Sequence, residues 1–251
     1  MLAGGGPDEL AAWATAARAA GFSRVMLAIG PEGLDAEAIA RARAAGVDGL
    51  HVTLWAADAA AHDYHADAQG SLRATVATLR AARASRVAVA VTTVLTRSNA
   101  RVVPALPGLL ADVAVAGWRV VVPAIAGMFA ERFDALAPRL ALALPFALQA
   151  IVAAERAGVP AGIAGAPLCL LGPLRGRSVP APARAYAGAC EGCPGRAACP
   201  GVDAAYLRRF AGDELSPRAL RAADGSPVGQ VLSRMFSGPW IRIAEGPCSP
   251  I

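Results

Sequence analysis

Lysine does not occur in this 251-residue chain; all 24 basic residues are arginine. That absence removes two chemistries: no lysine can reach nucleotide phosphates from a P-loop, and none can form a Schiff base with a carbonyl substrate or pyridoxal phosphate. Charged residues make up only 17% of the chain and aromatics 5%. The arginines are scattered over helical segments beside Asp and Glu, and the net charge of +5 is diffuse. The clustered cations with interleaved aromatics that a nucleic-acid surface needs are missing, so no nucleic-acid partner is expected. Long apolar runs are also lacking. The two longest uncharged stretches are Leu140–Ala154, which contains Pro145, and Ala157–Leu174, which carries Pro160, Pro167 and Pro173. Neither suits a bilayer span, and no membrane partner is expected. The first residues, MLAGGGPDEL, show no basic n-region and no apolar h-region. The expectation is a soluble, cytoplasmic protein in which disulfides are disfavoured. The chain also lacks a Gly-x-Ser-x-Gly elbow and a Gly-x-Gly-x-x-Gly turn, which argues against a hydrolase of the first type and a dinucleotide fold of the second.

At 55% hydrophobic residues, the chain has enough apolar surface for a sizeable core. Its first two-thirds repeats one local pattern: an alanine-rich amphipathic helix, a breaker, then a short β-branched run. The pattern appears as AARAAGFSRVMLAIG, ARARAAGVDGLHVTLW, LRAARASRVAVAVTTVL, ADVAVAGWRVVVPAI and, more weakly, AAERAGVPAGIAG. Gly21, Gly46, Gly117 and Gly158 stand where helix C-caps belong. The clearest helix spans Ser71–Ala84, with Ser71 as N-cap and Leu72, Val76 and Leu79 on one face. Val25–Ala28, Leu50–Leu54, Val87–Leu95 and Arg119–Val122 are nearly continuous apolar runs, as expected of parallel strands covered on both sides. Regular βα alternation leaves a doubly wound sheet or a barrel, and both put function at strand C-termini. There the chain places Thr53, Trp55 and Asp58 after one strand, and Thr92, Thr93, Thr96 and Asn99 on or after the next.

Past about residue 156 the sequence turns to Pro, Gly and Cys, which predicts two parts, 1–155 and 156–251. Cys169, Cys190, Cys193 and Cys199 are separated by twenty, two and five residues. The two-residue gap lets Cys190 and Cys193 face one centre, and Pro194, Gly195, Pro200 and Gly201 supply turns that bring Cys199 round. Four thiolates complete either a [4Fe-4S] cluster or a tetrahedral zinc. Incidental buried cysteines are the simpler alternative, and Cys248 has no evident partner. His62 and His65, with Asp63 and Asp67, read as a solvated loop; an acid/base or metal pair is the functional alternative. His51 alternates with apolar residues and reads as a core or barrel-wall histidine, while Trp118 and Trp13 read as packing residues. Tyr206, Arg208 and Arg209 are expected on a helix covering the cysteine segment.

The run GLHVTLWAADAAAHDYHADAQGSLRATVATLRAARASRVAVAVTTVLTRSN resembles the fourth strand, helix and fifth strand of radical SAM enzymes. GWRVVVPAI is similar to the sixth strand, and CEGCPGRAACPGVDAAYLRRFAGDEL to the carboxy-terminal cysteine element of SPASM/twitch members. MLAGGGPDELAAWATAARAAGF is similar to the family's glycine motif and following helix. The resemblance implies an incomplete parallel (β/α) barrel with a small Cys-rich module holding one auxiliary [4Fe-4S] cluster through Cys169, Cys190, Cys193 and Cys199. Zinc is the alternative metal. It also implies that S-adenosylmethionine is a possible cofactor, with Gly4, Gly5 and Gly6 at its methionine amino group, Thr53 near its ribose, and Thr93, Thr96 and Asn99 near its pocket.

The chain departs from the family in lacking a Cys-x-x-x-Cys-x-x-Cys loop and the glutamate of the glycine motif. Four-thiolate ligation leaves no open iron for the cofactor to chelate. The expectation is therefore a radical SAM-like protein of a lineage that often modifies peptides, unable to cleave S-adenosylmethionine as these residues stand. The alternatives are a non-catalytic relative that binds a peptide or protein partner, or a structural zinc protein.

Overall fold

The computed structural model describes residues 7–217 and 227–236. Helices and strands alternate from the start: α1 (Pro7–Ala19), β1 (Met26–Ile29), α2 (Ala36–Ala44), β2 (Gly49–Thr53), α3 (Ala59–Ala66), α4 (Ser71–Ala84), β3 (Ala88–Val94), α5 (Leu106–Asp112) and β4 (Gly117–Val121). Then come α6 (Met128–Glu131), α7 (Phe133–Leu136), α8 (Leu140–Arg156), β5 (Ala161–Ala164), β6 (Ser178–Val179), α9 (Ala204–Phe210) and α10 (Pro227–Phe236). The strands form one six-stranded sheet in the order β1-β2-β3-β4-β5-β6, every pairing parallel. A doubly wound sheet reverses its order at a switch point, whereas consecutive order is that of a barrel wall. The expected incomplete barrel is the observed architecture. Past residue 155 the sheet continues, because β5 pairs with β4 and β6 with β5.

Strand periodicity sorts the two faces. Leu27, Leu50, Val52, Val89, Val91, Trp118, Val120 and Ile163 point to the outer face, where the helices cover them in one continuous core. Trp118, expected to pack, is fully buried there, and Trp13 packs against the same cluster. The inner face alternates with it and carries smaller or polar residues: Met26, Gly49, His51, Ala90, Thr92, Gly117, Arg119, Gly162 and Ala164. The apolar runs are thus covered on both sides, but the inner cover is α10, whose Leu232 and Phe236 are buried with Met26, Ala90, Ala164 and Val179.

Two caps differ from expectation. Gly21, Gly46 and Gly158 adopt the positive φ that ends a helix, but Gly117 does not; after α5 that conformation falls to Ala114 at φ 52°. Gly117 is instead the first residue of β4, where an added Cβ would lie 2.8 Å from Met235 Sδ. Ser71 is the first helical residue of α4 and not its N-cap. Asp63, at the end of α3, accepts the Gly70 N–H at 2.6 Å, the Leu72 N–H at 2.8 Å and the Ser71 hydroxyl at 2.9 Å. An ionised carboxylate satisfies two of the helix's orphan donors where a hydroxyl satisfies one.

Candidate functional site

All four expected ligand thiols border one cavity. Cys169 lies in a 3₁₀ turn, Leu168–Leu170, just past the C-terminal end of β5. Cys190 closes a second such turn, Gly188–Cys190, and Cys199 follows a third, Arg196–Ala198. The Cys193 N–H donates to the Cys190 carbonyl at 3.2 Å and the Arg196 N–H to that of Cys193 at 3.1 Å, so the segment is a chain of tight turns. Gly192, at φ 71°, makes the first of them possible. The base of this loop is tied by a short antiparallel bridge, Ala185 to Val202, with N–H···O distances of 2.9 and 3.0 Å. Gly201 is required beside it: a Cβ there would lie 2.3 Å from the Ala185 carbonyl oxygen.

Between these turns Cys169, Cys190, Cys193 and Cys199 line, with Tyr186 and Leu215, one small cavity that is partly open to solvent. All four cysteines are unpaired and half-buried. The Leu168 and Gly201 N–H groups each donate to Cys199 Sγ at 3.4 Å. Burial pushes the Cys169 thiol up, and the neighbouring Cys199 and Cys190 push it further. Among the described residues, no three His, Cys, Asp or Glu side chains are grouped closely enough to hold a single metal ion.

The thiol segment docks onto the barrel through the start of α8, which has no side-chain cap of its own. Tyr206 on α9 accepts the Leu140 N–H at 2.8 Å and donates to Glu214, while Glu214 accepts the Ala141 N–H at 2.8 Å. Burial and the Glu214 hydrogen bond raise the Tyr206 phenol well above its usual range, so it stays a neutral donor and acceptor. Asp203 joins the same seam, capping α9 at Ala205 N and accepting the Ile125 N–H at 3.0 Å. The expected helix with Tyr206, Arg208 and Arg209 is therefore present, and its work is to cap a barrel helix.

At the C-terminal ends of β2 and β3 the remaining expected residues separate. Thr53 is on the inner face, half-buried and in register with Thr92. Thr93 points the other way: its hydroxyl donates to the Leu54 carbonyl at 2.7 Å and accepts the Trp118 indole N–H at 2.9 Å, within the helix-covered layer. Asn99, fully buried, accepts the Thr96 N–H at 2.8 Å and donates to the carbonyls of Trp55 and Val94 at 3.1 and 2.9 Å. It braces two loops with its amide capacity nearly filled. Gly4, Gly5, Gly6 and Cys248 lie outside the described residues.

His62 and His65 are not in a solvated loop; they belong to α3. The turn signal in AHDYHADAQG is met at Asp67, in the left-handed conformation, so the helix absorbs the residues before it. His62 is 1% exposed and bonds Ser71 Oγ at 3.0 Å through Nδ1. Burial lowers its pKa. His65 stacks on Trp55 with ring centroids 5.0 Å apart and approaches Ser98 Oγ at 2.9 Å and Thr96 Oγ1 at 3.2 Å. Sequence reasoning missed this His65, Trp55 and Ser98 group, and also Arg119 on the inner face. In β4, GWRVV, period-2 alternation about the outward Trp118 was the available signal.

Neither a family profile nor a curated protein sequence matches the chain. Among solved structures, a domain of pyruvate-formate lyase-activating enzyme from Bacteroides vulgatus superposes with a TM-score of 0.52 at 12% identity, covering 65% of this chain and 97% of that one. HMG-CoA lyase from Brucella melitensis aligns over 84% of this chain and 74% of its own, at 13% identity and a TM-score of 0.35, too low to argue from. The first likeness is one of fold: the chain shares the α/β fold of that domain.

Proposed function

We propose that this radical SAM-like scaffold carries one auxiliary [4Fe-4S] cluster, ligated by Cys169, Cys190, Cys193 and Cys199, beside the C-terminal end of its sheet. The single observation behind this reading is that four thiols spread over thirty-one residues, 169–199, border one cavity. Their donor set fits the group, since four thiolates are the usual complement of such a cluster. Zinc held by the same four thiolates is the alternative, and it would draw them to about 3.8 Å from one another, given Zn–S bonds of about 2.3 Å in a tetrahedron.

When bound, the cluster supplies one-electron transfer or a fixed charge for placing a substrate. The chain's own residues provide the frame. Leu168 N–H and Gly201 N–H donate to Cys199 Sγ, Leu215 and Tyr186 line the thiol cavity, and the Tyr206–Glu214 seam fixes the segment against α8. With four protein thiolates no iron has a free position, so cleavage of S-adenosylmethionine requires a cluster held outside these 251 residues. The mouth of the barrel, at Thr53, is the proposed place for S-adenosylmethionine if it binds, and a peptide is the proposed class of partner, both on the likeness to the radical SAM family.

The test is anaerobic purification of the whole chain with iron, sulfide and zinc analysis. About four irons and four sulfides per chain are expected. Stoichiometric zinc without iron would refute the cluster, and formation of 5′-deoxyadenosine by this chain alone under reduction would refute the coordination count.

A further inference from the structure

On the inner face of the sheet an arginine is half-buried without a counter-charge among the described residues. Arg119, in the middle of β4, is half-buried, and among the described residues it forms no ion pair; its Nε is enclosed with no hydrogen-bond partner. One terminal nitrogen reaches Thr92 Oγ1 at 3.4 Å, a weak bond, and Thr92 Oγ1 lies 2.8 Å from His51 Nε2. The guanidinium carbon sits 4.2 Å above the Phe236 ring, whose edge also meets His51 with centroids 5.9 Å apart. Such a cation–π contact offsets only part of the cost of taking a cation out of water.

The surroundings form a recess with a floor. Below Arg119, α10 is keyed into the sheet: a Cβ on Gly162 would lie 2.7 Å from Leu232 Cδ1, and one on Gly117 would lie 3.0 Å from Leu232 Cδ2. Two inward glycines on neighbouring strands thus make the slot that seats Leu232, and Phe236 then closes the space beneath the guanidinium. Above it, towards the strand C-termini, the inner-face residues Ala28, Thr53, Val94 and Val121 are only half-buried. Burial lowers the Arg119 pKa to about 10, and burial together with Arg119 lowers that of His51 to about 4. At neutral pH the guanidinium is charged and the imidazole is not, so among the described residues the recess carries one uncompensated positive charge with two polar neighbours.

We infer that Arg119, Thr92 and His51 form a receptor for an oxyanion, the carboxylate or phosphate of a small organic ligand, on the inner face of the sheet above α10. Arg119 supplies its unpaired Nε–H and terminal N–H groups as a planar fork, Thr92 a hydroxyl, and Phe236 the apolar floor that strengthens the interaction by excluding water. The site is independent of the thiol cavity, so each can fail alone.

The experiment follows the Nε–H resonance of Arg119 in the arginine-¹⁵N-labelled full chain, assigned by its loss in Arg119→Met, during titration with inorganic phosphate and, separately, with succinate. A saturable shift with at least one of the two is expected, weakened several-fold in Thr92→Val, which leaves the reporter in place. Which anion saturates identifies the headgroup. A resonance that stays put with both anions, drifts without saturating as surface arginines do, or saturates unchanged in Thr92→Val overturns the assignment. Iron content measured on the same samples keeps the two readings apart: a chain free of iron that still shows the saturable shift retains this site and loses the cluster.

Discussion

From β1 through β5 the chain buries a continuous apolar layer, with Leu27, Leu50, Val91, Trp118, Val120 and Ile163 sealed under helices. Residues 165–217 bury far less: Leu168, Leu171, Val179, Val202, Tyr206 and Leu215 are their large buried side chains. The first region is held by removal of apolar surface from water, which is non-directional and tolerant of detail. The second adds fewer side chains to the same core, among them Leu168, Leu171, Val202 and Leu215, and is held besides by a chain of turns, one two-residue bridge and hydrogen bonds into α8. With so few large buried side chains it is a segment that a staple would help to hold, and under the proposed function the cluster bound by its four thiols would be that staple.

The largest effect that would sharpen this contrast is expected from Trp118→Ala, which empties the centre of the outer layer and removes the indole donor to Thr93 Oγ1. A loss of about 3–5 kcal/mol is expected in chemical denaturation. A loss as small as that of a surface substitution would break the comparison. Next comes acid sensitivity of the barrel. His51 has its pKa lowered from 6.5 to about 4, so between those values the unfolded chain binds the proton and the folded one does not. Stability is therefore expected to fall as pH drops through that window, by at most roughly 3 kcal/mol for this group. His62, also lowered by burial, adds in the same direction. His51→Gln should flatten the profile measured by denaturation at stepped pH, and an unchanged slope would place the acid sensitivity elsewhere.

A smaller effect is expected at the seam. Tyr206→Phe removes the acceptor of the Leu140 N–H and should cost about 1–2 kcal/mol, with faster amide exchange at the start of α8. The smallest effect on global unfolding is expected from Cys193→Ala. In metal-free protein it should leave the barrel's unfolding midpoint nearly unchanged while abolishing iron binding and its colour, and limited proteolysis should then cut within 180–217. Retention of the full cluster would show that Cys193 is not a ligand.

Much of this architecture could be read from the chain. The repeated helix, breaker and β-branched run predicted parallel strands at Val25–Ala28, Leu50–Leu54, Val87–Leu95 and Arg119–Val122, each within two residues of a boundary found, and the helix Ser71–Ala84 ends where expected. Local periodicity suffices for elements because it reflects a face buried by each element on its own. Partners were harder to see. The cap of α4 comes from Asp63 and that of α8 from Tyr206 and Glu214, the latter more than sixty residues away, and no local pattern announces an acceptor that arrives through space.

By itself the sequence determined the layer that must be buried, the order of strands and helices, and the spacing of four thiols in a chain with no lysine to do other chemistry. Only the tertiary structure decided which face of each strand looks inward. That choice sets Thr92 and Arg119 in the recess and Thr93 in the outer core, and it places Leu232 against two glycines from different strands. The physical reason is that a strand's alternation fixes two opposite faces but carries no label for inside; the helices that dock, and the closing helix α10, supply it.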